Sequence, residues 1–161
     1  MSLRLLAVLS CVLALGAFHP ATAEDEPDAH DYPGLARVKG YEINAVSDKR
    51  FDSFVLHLPN HDMAVEGHVT RLKYVPEDTR NSTSAIEIYR TYKYLLGQMN
   101  AEILNYNEAD FDGLIGRFTR NGKSVFVDIN VINNGGLYDV IVIEEKAFHP
   151  AIPQHTPTAK P

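Results

Sequence analysis

The sequence predicts an α+β domain: a mostly antiparallel sheet of about six to seven strands packed on one main helix. Three observations carry this expectation. The stretch Ala85–Met99 alone repeats its apolar residues at helical spacing. Alternating apolar segments stand on both sides of it, and tight turn signals join those that follow it. The order strand, strand, strand, helix, strand, meander suits an antiparallel sheet with a helix against it rather than the regular alternation of a parallel α/β fold.

Residues 1–23 read as a secretory signal peptide. Arg4 supplies a short charged start, Leu5 to Phe18 is almost wholly apolar, and Ala21-Thr22-Ala23 is a small-x-small cleavage site. The apolar run is shorter than the roughly 20 residues of a membrane-spanning helix, so no transmembrane segment is expected in the mature protein. Val8-Leu9-Ser10-Cys11 loosely resembles a lipobox, but the apolar run continues well past Cys11, which disfavours a lipoprotein. Residues 24–36 open with the acidic EDEPDAHD and are expected to be a mobile segment. Tyr32-Pro33-Gly34 carries a turn signal.

A single domain is expected over residues 37–148. Candidate strands are Arg37–Ala45, Phe51–Leu58, with Phe54, Leu56 and Leu58 toward one side, and Val65–Val75, where Gly67 suggests a bulge. In the helix, Ala85, Ile88, Tyr89, Tyr92, Leu95, Leu96 and Met99 form one apolar stripe. Ser84 followed by Glu87 makes a capping box, and Asn100 is a left-handed stop. Ala101–Tyr106 is a short strand. Leu114–Arg120 and Lys123–Ile132 are joined by Asn121-Gly122, a pair favoured in tight hairpin turns. Leu137–Glu145 holds the continuous apolar run Val140–Ile143, the mark of a strand covered on both faces. Residues 149–161 are rich in proline and without pattern, and disorder is expected there.

The chain has 161 residues and a net charge of −6. All but one of its charged residues lie beyond the signal peptide, and there is no basic run. Nucleic acid is therefore not an expected partner, and neither is an anionic membrane surface. Cys11 is the single cysteine, so the mature chain has neither disulfides nor thiolate chemistry.

The central stretch EGHVTRLKYVPEDTRNSTSAIEIYRTYKYLL resembles a segment of Gram-negative envelope proteins. In those proteins it often stands as an N-terminal domain of uncharacterised function before an OmpA-like peptidoglycan-binding domain. The matching positions are Glu66, Gly67, Val69, Thr70, Arg71, Tyr74, Pro76, Arg80, Glu87, Tyr89, Arg90 and Tyr92. Asp31-Tyr32-Pro33-Gly34 and LYDVIVIEEK agree with its ends more loosely. The resemblance implies an exported, periplasmic protein of the cell envelope. A Pro-rich stretch follows Lys146 in place of the wall-binding domain, so cell-wall binding does not carry over.

Several constellations could carry chemistry. His57, His61 and His68 lie within twelve residues of sequence, and His57 and His68 could be neighbours on paired strands as metal ligands. Their spacing matches no recurring closed site, and exposed hairpin positions explain them as well. Glu66, Asp128, Asp139, Glu144 and Glu145 fall on strands; paired carboxylates do acid–base work only when burial or repulsion separates their pKa values, and the sequence favours a solvated sheet face. No Gly-x-Ser-x-Gly elbow, calcium loop or phosphate loop is present, so neither a catalytic residue nor a cofactor is expected. Arg71, Tyr74, Arg80, Arg90 and Tyr94 combine planar cations with amphipathic rings and form the candidate partner-binding group. The expectation is thus a non-catalytic binding or accessory domain that engages an envelope protein, polymer or lipid. The alternatives are a periplasmic metal-binding protein using His57, His61 and His68, and a hydrolase with an unrecognised site.

Overall fold

The computed structural model describes residues 29–107 and 113–150. The signal peptide over 1–23 and all but the first two residues of the expected disordered tail lie outside the described residues. Among the described residues, six strands form one antiparallel sheet: β1 (Tyr41–Leu58), β2 (His61–Pro76), β3 (Glu102–Tyr106), β4 (Leu114–Arg120), β5 (Lys123–Ile132) and β6 (Leu137–Glu145). Their order across the sheet is β1-β2-β6-β5-β4-β3, and helix α1 (Ala85–Gln98) covers one face.

The helix begins and ends as its sequence predicts. The Ser84 side chain accepts a hydrogen bond from the Glu87 amide, and Asn100 takes a left-handed φ of 54°. Ala85, Ile88, Tyr89, Tyr92 and Leu96 are buried against the sheet, whereas Leu95 and Met99 are only partly covered. Leu96 sits directly over Gly116, where a side chain would crowd its methyl groups. β6 lies in the middle of the sheet and is covered on both faces, as its continuous apolar run requires.

Four tyrosines dominate the helix-side core. Tyr138 stacks on Tyr74 with ring centroids 4.7 Å apart and meets Tyr41 and Tyr92 at a tilt. Their hydroxyls all find partners. Tyr92 donates to Tyr138, which also accepts from the Val38 amide; Tyr74 donates to Asp31, and Tyr41 to the Gly135 carbonyl. Desolvation raises the pKa of Tyr138 to about 12. These rings are structural.

The first two expected strands are one. β1 runs unbroken from Tyr41 to Leu58 because β2 pairs with it along its whole length. The bulge nearest Gly67 falls on β1, and a second irregularity of β1 lies between Ile43 and Ala45. Arg50 and Phe51 together stand against His68 alone, between the pairs Lys49–Val69 and Asp52–Gly67. Gly67 instead makes room for a neighbouring strand. A Cβ at this position would collide with the Glu144 carbonyl oxygen, so only glycine allows β6 its approach.

The expected mobile segment 24–36 is corrected in its second half. Tyr32 and Leu35 are buried, the Leu35 amide bonds to the Tyr32 carbonyl across the turn, and Asp31 pairs with Arg37 at 3.1 Å. The apolar side chains after the acidic stretch anchor it to the core. Residues 24–28 lie outside the described residues.

Candidate functional site

Beyond its bulge, the β1–β2 hairpin becomes an arm that folds over the sheet face opposite the helix. It lays Leu56 and Val65, with partly buried Phe54, Leu58 and Met63, on Ile115, Phe126, Ile141 and Ile143. Its tip reaches the far edge of the sheet, where the Asn105 side-chain amide donates to the His57 carbonyl. The arm does not fill the space beneath it. A groove of about 930 Å³ runs between the arm tip and β3, lined by His57, Leu58, Leu104, Asn105, Ile115, Asp128 and Asn130, among others. A second hollow of about 570 Å³ shares His57, Asp128 and Asn130 and continues to Arg71 and Asp139.

Strand register explains the floor. Side chains directly opposite each other share a face, so the ladder makes the row Arg71–Ile141–Asp128–Ile115–Asn105 across five strands. The next row places Lys73, Asp139 and Asn130 side by side. Asp128 is therefore flanked by isoleucines and lies under the arm, with only 7% of its surface exposed. Burial pushes its carboxyl up to about 6. A hydrogen bond from Asn130 and the charges of His57 and Arg71 oppose the shift, while neighbouring Asp139 reinforces it. The Oδ1 oxygen of Asp139 is itself buried without a hydrogen-bond partner. The expectation of a solvated carboxylate face fails at this point. Phe126, two residues before Asp128 on the same side of the strand, was the sequence signal that this face is not all water.

The candidate partner-binding residues do not converge. Arg71 stands on the groove side, its guanidinium 5.8 Å from the centre of the Phe54 ring. Tyr74 is fully buried on the other face and cannot meet a partner; its placement in a surface patch is corrected by the alternation of β2. Arg80 is 87% exposed and pairs with Asp78 inside its own turn. Arg90 and Tyr94 share the outer side of α1, beside a shallow depression with Ser84, Ile86, Glu87 and Thr91.

The histidines are also separate, which corrects the idea that His57 and His68 are cross-strand neighbours. His57 Nδ1 lies 2.9 Å from Asp62, His61 stands at the arm tip opposite Leu58, and His68 lies at the bulge, facing Arg50 and Phe51, 2.6 Å from Asp48. Among the described residues, no three His, Cys, Asp or Glu side chains are grouped as metal ligands. No described helix is long and apolar enough to cross a membrane. No protein-family model matches the chain, and no curated protein matches it.

Proposed function

We propose that this is an exported, non-catalytic binding domain of the Gram-negative envelope and that its ligand lies in the groove beneath the hairpin arm. The observation that carries the reading is Asp128, a carboxylate more than nine-tenths buried on the floor of an open groove. Keeping an ionisable group there costs folding stability, and strongly shifted groups in clefts concentrate at functional positions. Amides from Asn105, Asn107 and Asn130 and apolar walls from Leu58, Ile103 and Leu104 line the same groove. A few polar groups set among apolar ones is the usual composition of a ligand site. Export rests on the signal-peptide pattern, and the envelope setting on the resemblance of the central stretch.

A heteronuclear NMR titration of the mature chain with fractionated envelope extract tests this reading. Shift changes are expected to cluster at His57, Asn105, Asn107 and Asn130. Changes confined to Arg80, Arg90 and Tyr94 would move the site to the loop and helix surface. Intact mass of the protein recovered from the periplasm should begin at Glu24; a diacylglyceryl adduct on Cys11 would instead make it a lipoprotein.

One feature favours a second reading, a hydrolase. His57, held by Asp62, and Asp128 line the same groove and could divide base and acid roles. Turnover of envelope-derived esters or amides that is lost in both His57→Gln and Asp128→Asn variants would establish it.

A further inference from the structure

We propose that the groove binds its ligand through a protonated primary amine seated between Asp128, Asp139 and Asn130. The inference rests on the groove reading above and specifies its ligand chemistry.

The three residues form a triangle fixed by strand register. Asn130 stands directly opposite Asp139 on the β5–β6 ladder, and Asp128 stands opposite Ile141, two residues further along β6. Asp128 and Asp139 are thus diagonal neighbours on one face, a relation that spaces Cα atoms about 7–8 Å apart. Carboxyl groups on such positions can approach a shared nitrogen from two sides. Asn130 donates its amide to Asp128, which leaves its own carbonyl oxygen as a third acceptor. All three residues line the same hollow.

Acceptors outnumber donors in the triangle, whose one donor group, the Asn130 amide, is already turned to Asp128. Asp139 Oδ1 is buried without a hydrogen bond. Arg71 lies in the same row as Asp128 but stacks on Phe54 instead of closing on either carboxylate. Lys93, at the far end of the groove, lies over the Tyr106 ring, 4.1 Å from its centre. Lys73 stands opposite Asp139 on the β2–β6 ladder, yet Asp139 Oδ1 is left without a hydrogen bond, so the local cations leave the acceptors open. A primary ammonium carries three donors in a tripod and matches three acceptors around one point, whereas a guanidinium is planar and suits a flat carboxylate fork. The apolar walls, Ile141 and Val131 at one end and Ile115 and Leu58 at the other, suit a short alkyl stem behind the nitrogen. The ligand is thus an alkyl amine, free as a diamine or carried as a lysine side chain.

The mature protein, followed by NMR, is titrated with cadaverine, with Nα-acetyl-lysine N-methylamide, with methylguanidinium and with uncharged 1-pentanol. Saturable shifts at Asp128, Asn130 and Asp139 are expected with an amine and not with pentanol, with methylguanidinium weaker. Cadaverine alone would point to a free diamine, and the lysine amide to a protein partner. Asp128→Asn and Asp139→Asn are each expected to weaken amine binding by about tenfold or more through loss of a charge-assisted hydrogen bond. Binding should also weaken about tenfold from about pH 7.5 to about pH 5, as Asp128 takes up a proton; His57, Arg71, Lys73, Asp139 and Lys93 are the other charged groups on this face and along the groove. Equal binding by both variants would overturn the proposal, as would Ca²⁺ producing the shifts that the amines do not. If an envelope fraction perturbs the groove but no amine does, the ligand chemistry is wrong and the groove remains the site. If neither perturbs it, the groove reading itself fails.

Discussion

Arg71 and Tyr74, three residues apart on β2, stand on opposite faces of the sheet. Arg71 shares a row with Asp128 on the groove side, and Tyr74 lies fully buried under the helix with its hydroxyl 2.9 Å from Asp31. Closeness in sequence therefore does not make a patch on a strand, where side chains change face at each residue. Tyr74→Ala should cost roughly 3–5 kcal/mol, as truncation of a large buried side chain does. Tyr74→Phe should cost only about 1 kcal/mol, since Asp31 keeps its ion pair with Arg37. Urea melts separate the two; a neutral Tyr74→Ala would mean that this face of β2 is not in the core.

Asp128 should make stability fall as pH rises. Its carboxyl titrates near 4 when unfolded and at about 6 when folded, so the folded state holds the proton more tightly. The contribution is fully present below the unfolded value and is lost as pH passes through about 6, a loss on the order of 2–3 kcal/mol. Asp128→Asn should flatten this part of the profile and be the more stable protein near neutrality. Denaturant melts across this range decide it; identical profiles for both proteins would show that Asp128 is solvated.

Helix docking should depend on Leu96 more than on Leu95. Leu96 is fully buried over Gly116, and Leu95 is only partly covered. Leu96→Ala is expected to cost roughly 2–5 kcal/mol and Leu95→Ala clearly less. Ser84→Ala should cost about 1 kcal/mol through the lost cap. The reverse order for the two leucines in thermal melts would mean that the helix is rotated on the sheet.

Local signals made much of this legible in the sequence. The Ser84 cap, the Asn100 stop and the Asn121-Gly122 turn, with φ of 52° and 75°, are short-range features that each residue's own chemistry determines. What was not legible depends on pairing between distant strands. The segment Ser47–Arg50 looks like a connection because its residues are polar, yet it is strand because β2 supplies the partner. The folded-over arm follows from a two-residue bulge that no residue type announces. The burial of Asp128 follows from that arm and from Ile115 and Ile141 on either side, thirteen residues away in each direction. The site is a product of register, which periodicity along a single strand does not contain.

Gly67 should tolerate no larger residue. Its missing side chain leaves room for the Glu144 carbonyl, so Gly67→Val should force β2 and β6 apart and destabilise by several kcal/mol, in the range of severe core disruptions. Hydrogen exchange should show the β2–β6 ladder opening first. Unchanged protection there would mean that the two strands are less closely apposed at this point.

The most direct test of the groove as the binding site is to fill it. Asn130→Trp places a large ring where the two hollows meet, and Arg80→Ala with Tyr94→Ala removes exposed groups of the loop and helix surface. After circular dichroism has shown both variants folded, their affinity for the envelope fraction that perturbs the wild-type spectrum is measured. The groove reading predicts that Asn130→Trp loses at least tenfold in affinity, about 1.4 kcal/mol, while the double variant binds like wild type. Unchanged binding by Asn130→Trp together with loss in the double variant would contradict it.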